Sequence, residues 1–144
     1  MATKKKKSQH IEDYAEQLDL YDKLLNEYVN YWIPILGLDS WVKIDVSCFP
    51  TTSSEDPGIL GRTFVHWEYM EAKIEFFVGG MISSELGPER VEYLVVHELC
   101  HCLVNEIRDE NTTNEHLTAY VIPHEERVVC NLAKSFLRLK YLNS

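Results

Sequence analysis

The chain of 144 residues has little of several things, and each shortage narrows what it can be. No apolar run approaches the roughly 20 residues needed to cross a bilayer. The N-terminal "MATKKKKSQH" is basic, but no apolar stretch follows it, so it does not read as a secretory signal. A cytoplasmic location is the resulting expectation. The four cysteines, Cys48, Cys100, Cys102 and Cys130, form no CxxC pair, which removes zinc-ribbon and thioredoxin-type readings. In a reducing compartment they stay as thiols. Basic residues are scarce outside one place: four of the 14 lie in Lys4–Lys7, whereas all 23 acidic residues lie beyond it. An acidic body repels nucleic acid and anionic membrane, so neither is expected as a partner. No internal repeat of solenoid period is visible.

What is there reads as one domain, long enough to bury a core without staples. Residues 1–9 read as a disordered basic tail, and residues 10–144 as the domain. In "HIEDYAEQLDLYDKLLNEYVNYW", Ile11, Tyr14, Leu18, Tyr21, Leu25, Tyr28 and Trp32 recur at steps of three and four, which predicts an amphipathic helix ending at Pro34 and Gly37. "WVKIDVSCF" alternates, with Val42, Ile44, Val46 and Cys48 on one face, and predicts a half-buried strand. "RTFVHWEY" and "AKIEFFV" predict a hairpin turning around Met70–Glu71, stopped by Gly79 and Gly80. Gly87-Pro88 opens a second helix. The stretch from Asn105 to Val121 is polar and irregular and reads as a loop. Pro123 then starts a last helix, with Glu125 and Glu126 in its first turn and an apolar stripe of Val128, Val129, Leu132, Phe136 and Leu139. This order predicts an α+β fold: an N-terminal helix, a small three-stranded sheet with a hairpin, and two further helices packed on one face of it.

The second helix carries a contradiction. "VEYLVVHELCHCLVNEI" is nearly all apolar, yet His97, Glu98 and His101 sit in its middle. An unpartnered polar side chain in a core costs roughly 1–3 kcal/mol on mutational scales. A metal ion would offset that cost. "HELCH" has the form H-E-x-x-H, and on a helix residues i and i+4 share a face, so both imidazoles can reach one ion. Zinc takes imidazole nitrogen well and prefers four ligands. Glu98 projects from the neighbouring side, where it can act as general base on a water that zinc has acidified to a pKa of about 7.

A catalytic zinc of this kind needs a third protein ligand. The downstream candidates are Glu125, Glu126, His116 and His124. At about 100° per residue, Glu125 falls about 30° from the buried axis of the last helix and Glu126 about 70°, which favours Glu125 without deciding between them. Ligating histidines donate their second N–H to an oxygen, for which Asn105 or a backbone carbonyl is available. Tyr120, His116 and His124 are candidate donors to a developing oxyanion, and Tyr120 is carried forward. Cys100 and Cys102 read as small core residues and His66 as a surface residue.

"VVHELCHCLV", followed some two dozen residues later by "EERVVCNLA", resembles the zincin metallopeptidases that use His, His and Glu. Among these it resembles the small versions encoded by phages and mobile elements. The resemblance covers roughly residues 90–139. It implies a minimal zincin-like domain, with zinc held by His97, His101 and Glu125 or Glu126. It implies Glu98 as base, hydrolysis of a peptide bond, and a protein or peptide substrate lying along the edge strand of the sheet. The chain lacks the N-E-x-x-x-D pattern of thermolysin-like enzymes, and Ile107 stands where metzincins carry a third histidine. Peptide deformylases use the same helix with an upstream cysteine, but "DVSCFP" around Cys48 lacks their "EGCLS". The competing expectations are a metal-stabilised interaction module without catalysis, whose acidic surface takes a basic partner, and a structural assembly protein with a relict motif. A purely structural site has no need for Glu98, which favours the enzyme.

Overall fold

The long amphipathic pattern becomes α1 (Ala2–Ile35) in the computed structural model, which describes residues 2–109 and 115–142, with side chains described for 13–105 and 122–142. Leu25, Val29 and Trp32 are its buried stripe, continued by Leu36 just past its end. Each large apolar side chain taken fully from water contributes on the order of 1.5–3 kcal/mol. The sequence reading began this helix after residue 9, but the backbone is helical from Ala2. The reason is local: Lys4–Lys7 and Gln9 are good helix formers, and no glycine or proline precedes Pro34. Pro34 sits in the last turn, and the helix is left at Gly37, whose φ of 72° an L side chain would resist.

Three strands follow: β1 (Lys43–Phe49), β2 (Gly61–His66) and β3 (Glu71–Phe77). The order in the sheet is β1-β3-β2, so the last strand is central. β1 lies parallel to β3, with Val46 opposite Ile74, and β2 lies antiparallel to it, with Thr63 opposite Ile74. The expected hairpin is therefore present, turning through a 3-10 turn (Trp67–Tyr69) and Met70 in the left-handed region. Ile44, Val46, Cys48, Ala72, Ile74, Phe76 and Val65 face the helices. The other face is charged, with Arg62 bridging Glu55 and Glu75 at 3.0 and 3.4 Å.

Gly79 and Gly80 do more than stop β3. They open a short helix, α2 (Val78–Ser83), that the sequence reading missed. A Cβ on Gly79 would sit 2.6 Å from the Thr51 carbonyl carbon, so glycine there lets two backbones touch.

α3 (Pro88–Asp109) is the hub of the fold. Val91, Val95, Val96, Leu99, Cys100 and Cys102 are all buried, because this helix packs on α1, on the sheet and on α4 (Glu115–Tyr141). A helix covered on most of its circumference needs apolar residues almost all round. Asn105 belongs to α3 rather than to a loop, and α4 begins at Glu115 rather than at Pro123. Pro123 lies inside α4, at the loss of one backbone hydrogen bond. Glu125 and Glu126 are consequently well inside the helix, not in its first turn, and an N-terminal dipole does not account for them.

Five residues before His97 on the same helix, Glu92 of α3 is fully buried. It accepts hydrogen bonds from Trp32 Nε1 at 2.9 Å, from Lys140 Nζ and from the Tyr141 hydroxyl. Lys140 Nζ lies 4.1 Å from the Tyr31 ring centroid, with Tyr28, Trp32 and Tyr141 also around it. This node ties the end of α4 to α3 and α1. The architecture is mixed α and β: four helices and a three-stranded sheet among the described residues. No described helix is long and apolar enough to cross a membrane.

Candidate metal centre

His97 and His101 stand one turn apart on α3, with ring centroids 5.1 Å apart. Contacts to α4 move down one helix as they move up the other: Glu92 meets Lys140, His97 meets Cys130 and Glu126, and His101 meets Glu125. The two helices are therefore antiparallel, and α4 delivers its acidic pair beside both imidazoles.

The two glutamates take different places. Glu126 reaches the Nε2 atoms of both rings, with Oε2 at 3.3 Å from His97 and Oε1 at 3.0 Å from His101. His97, His101 and Glu126 each offer a ligand atom, and these atoms lie within 4.8 Å of one another. Glu125 is on the far side of the His101 ring, where its Oε1 accepts from Nδ1 at 2.9 Å. The helical phase leans toward Glu125 without deciding between the two, and it is Glu126 whose carboxylate lies with both imidazoles in the group that could hold an ion. The cause is that phase measures depth. Glu125 is buried and Glu126 half-exposed, as their angles implied, but a donor must point along the helix–helix groove rather than into the core. Glu125 instead does what Asn105 was expected to do. Asn105 is buried, and its Oδ1 has no hydrogen-bond partner among the described residues.

Glu98 turns the other way, onto β2. Its Oε2 accepts from the Thr63 hydroxyl, which also lies 3.1 Å from the Glu98 carbonyl oxygen. A Cβ at Gly61 would meet Glu98 Cγ at 3.2 Å, so the glycine makes room for the carboxylate against the strand. Glu98 is thus buried, fixed and separate from the three converging donors. Gly61 and Thr63 were invisible to sequence reasoning, because only strand pairing and the α3 packing bring them to residue 98.

The charges are set by these contacts. Burial pushes the Glu98 carboxyl above its usual value, and the bond from Thr63 and the charge of His101 offset part of the rise. Burial and the neighbouring His101 lower His97. Burial would also lower His101, but the bond to Glu125 and the charges of Glu98, Glu126 and Glu125 outweigh it, and the net shift is upward.

Three protein donors, two imidazole nitrogens and one carboxylate, suit a zinc ion that keeps a fourth position open. Glu125 supports that fit: by accepting from Nδ1–H it leaves the lone pair of His101 on Nε2, facing Glu126. The converging group does not include His124 or Cys48. Cys48 lies on β1, the strand of the sheet farthest from β2, and burial followed by the charge of Asp22 pushes its thiol up to about 11. His66 is exposed at the end of β2. The side chains of Tyr120 and His116 lie outside those described. Comparison of the chain with known protein families, with curated proteins and with solved structures finds no match.

Proposed function

We propose that this chain is a zinc-dependent peptidase of the zincin type, hydrolysing a peptide bond in a protein or peptide substrate. The observation that carries the reading is a division of labour. His97, His101 and Glu126 converge as donors, while Glu98, the residue between the histidines, is buried and held apart by Thr63. A site that only stabilised the fold would need the first three alone.

Zinc, when bound, supplies Lewis acidity, polarising a substrate carbonyl and easing deprotonation of water. The protein's residues do the rest. His101 is oriented by Glu125, and Glu126 closes the donor set from the solvent side. Glu98 takes the proton of the attacking water on its carboxylate and returns it to the leaving amine. Its upward-shifted pKa suits both halves of that task, since a base works best near the working pH. β2 pairs with β3 on one side, and its other edge carries no strand among the described residues. An extended peptide added along that edge would pass Gly61 and Thr63, and so would lie beside Glu98. Tyr120 is the candidate donor to the substrate oxyanion.

The experiment is paired. Elemental analysis of purified protein should give about one zinc per chain, lost in Glu126→Ala and kept in Glu98→Gln. A peptide library should then be cut by the wild type and not by Glu98→Gln. Zinc binding without any cleavage in the wild type would leave the metal-stabilised interaction module as the better description. Cleavage that survives Glu98→Gln would sink the assignment of the base.

A further inference from the structure

The two histidines are backed differently. His101 Nδ1 meets a carboxylate, Glu125, whereas His97 Nδ1 meets a thiol, with Cys130 Sγ at 3.8 Å. Cys130 is four residues beyond Glu126 on α4, hence one turn along the same face, and it is half-buried. Tyr93 lies in the turn of α3 before His97, and its ring is 5.9 Å from the His97 ring. The Cys130 thiol is therefore the described side-chain partner of His97 Nδ1.

A carboxylate can only accept, so Glu125 keeps the proton of His101 on Nδ1 in every state of the protein. A thiol can do both. When Nε2 of His97 carries the proton and faces Glu126, Nδ1 is an acceptor and the S–H can donate to it. When Nε2 must offer a lone pair, Nδ1 carries the proton and sulfur accepts it. We infer that Cys130 is the positioning residue of His97, a partner that accommodates both tautomers and lets this ring switch from holding Glu126 to binding metal. His101 is set for the metal in advance, and His97 is the adjustable ligand. This rests on the metal-centre reading above.

The test uses the full chain at pH 8 and two readouts. Long-range proton–nitrogen NMR of the imidazoles reports the tautomer, and competition with a chelator reports zinc affinity. In the wild type, His97 should move from Nε2–H to Nδ1–H when zinc is added, with His101 at Nδ1–H throughout. Cys130→Ala should weaken zinc by tenfold or more, the range seen when outer partners of metal-bound histidines are removed, roughly 10–100-fold. Cys130→Ser, whose hydroxyl also donates and accepts, should stay within about threefold of the wild type. Cys130→Asp should fix His97 at Nδ1–H even without zinc. Cys48→Ala, on β1, should change neither readout. A wild type that takes up no zinc overturns the metal reading before any Cys130 variant is made. A wild type that binds zinc, with His97 tautomer and affinity both indifferent to Cys130→Ala, overturns this proposal alone.

Discussion

Two acidic clusters lie along the α3–α4 interface, and the protein satisfies them in different ways. At Glu92 the carboxylate is fully buried and meets a lysine of its own chain, a tyrosine hydroxyl and an indole N–H, with aromatic rings around the ammonium. At Glu126 the carboxylate is half-exposed and its described ion-pair partners are two histidines. The first cluster carries its own cation. The second gathers lone-pair donors at a place open to solvent, which is what a site for an external cation requires. The contrast separates two kinds of site: a buried charge that is already answered by its own chain, and a convergent set of donors that could hold an ion.

The sharpest way to break the comparison is to remove Glu92. Glu92→Ala strands Lys140 and the Trp32 N–H, and losing one partner of a buried pair costs about 3–5 kcal/mol. Denaturant unfolding should show that loss. If stability is unchanged, the node is not structural. Glu126→Ala should do the reverse. Unfolding of the metal-free protein should move by no more than about 0.5 kcal/mol, since the side chain is half-exposed. Zinc affinity should fall by more than about 100-fold, beyond the range for outer partners. Equal stability losses in the two variants would erase the distinction between the clusters.

Glu125→Gln separates the ligand from its support. The amide oxygen can still accept from His101 Nδ1, but the charge is gone. Zinc affinity should fall by roughly 10–100-fold. The pH dependence sharpens this further. His101 is raised in the folded, metal-free protein, so its contribution to stability is fully present below its unfolded value and is lost as pH rises through the folded one. Zinc competes with that proton, so affinity should rise with pH up to the folded value and then level off. In Glu125→Gln the levelling point should move to lower pH, measured by the same chelator competition. No movement would mean that Glu125 does not set the charge of His101. The smallest effect is expected at Gly61→Ala. Its new methyl would press on Glu98 at 3.2 Å, so peptide cleavage should drop by about tenfold while zinc content stays at the wild-type level.

Much of this was legible in the chain. The α1 stripe, the alternation of β1 and the hairpin follow from periods of 3.6 and 2, which are local properties. So does the pairing of His97 with His101, because i and i+4 meet on any helix. The sequence places the α4 start at Pro123 because a proline inside a packed helix leaves the same local signal as one in a first turn, whereas the helix begins at Glu115. α2 was missed because Gly79 marks a close backbone approach to Thr51, a contact with no trace in neighbouring residues.

The sequence by itself determined the chemistry on offer: two imidazoles and a carboxylate at fixed helical spacing, and two glutamates in a row downstream. Tertiary structure alone decided their placement. Adjacent residues on a helix differ by about 100°, so the antiparallel docking of α4 against α3 sends Glu126 to the Nε2 atoms and Glu125 behind the His101 ring. The same docking sets Cys130 behind His97, and the edge strand holds Glu98 through Thr63. These contacts join residues 24 to 35 positions apart, and no local period encodes them.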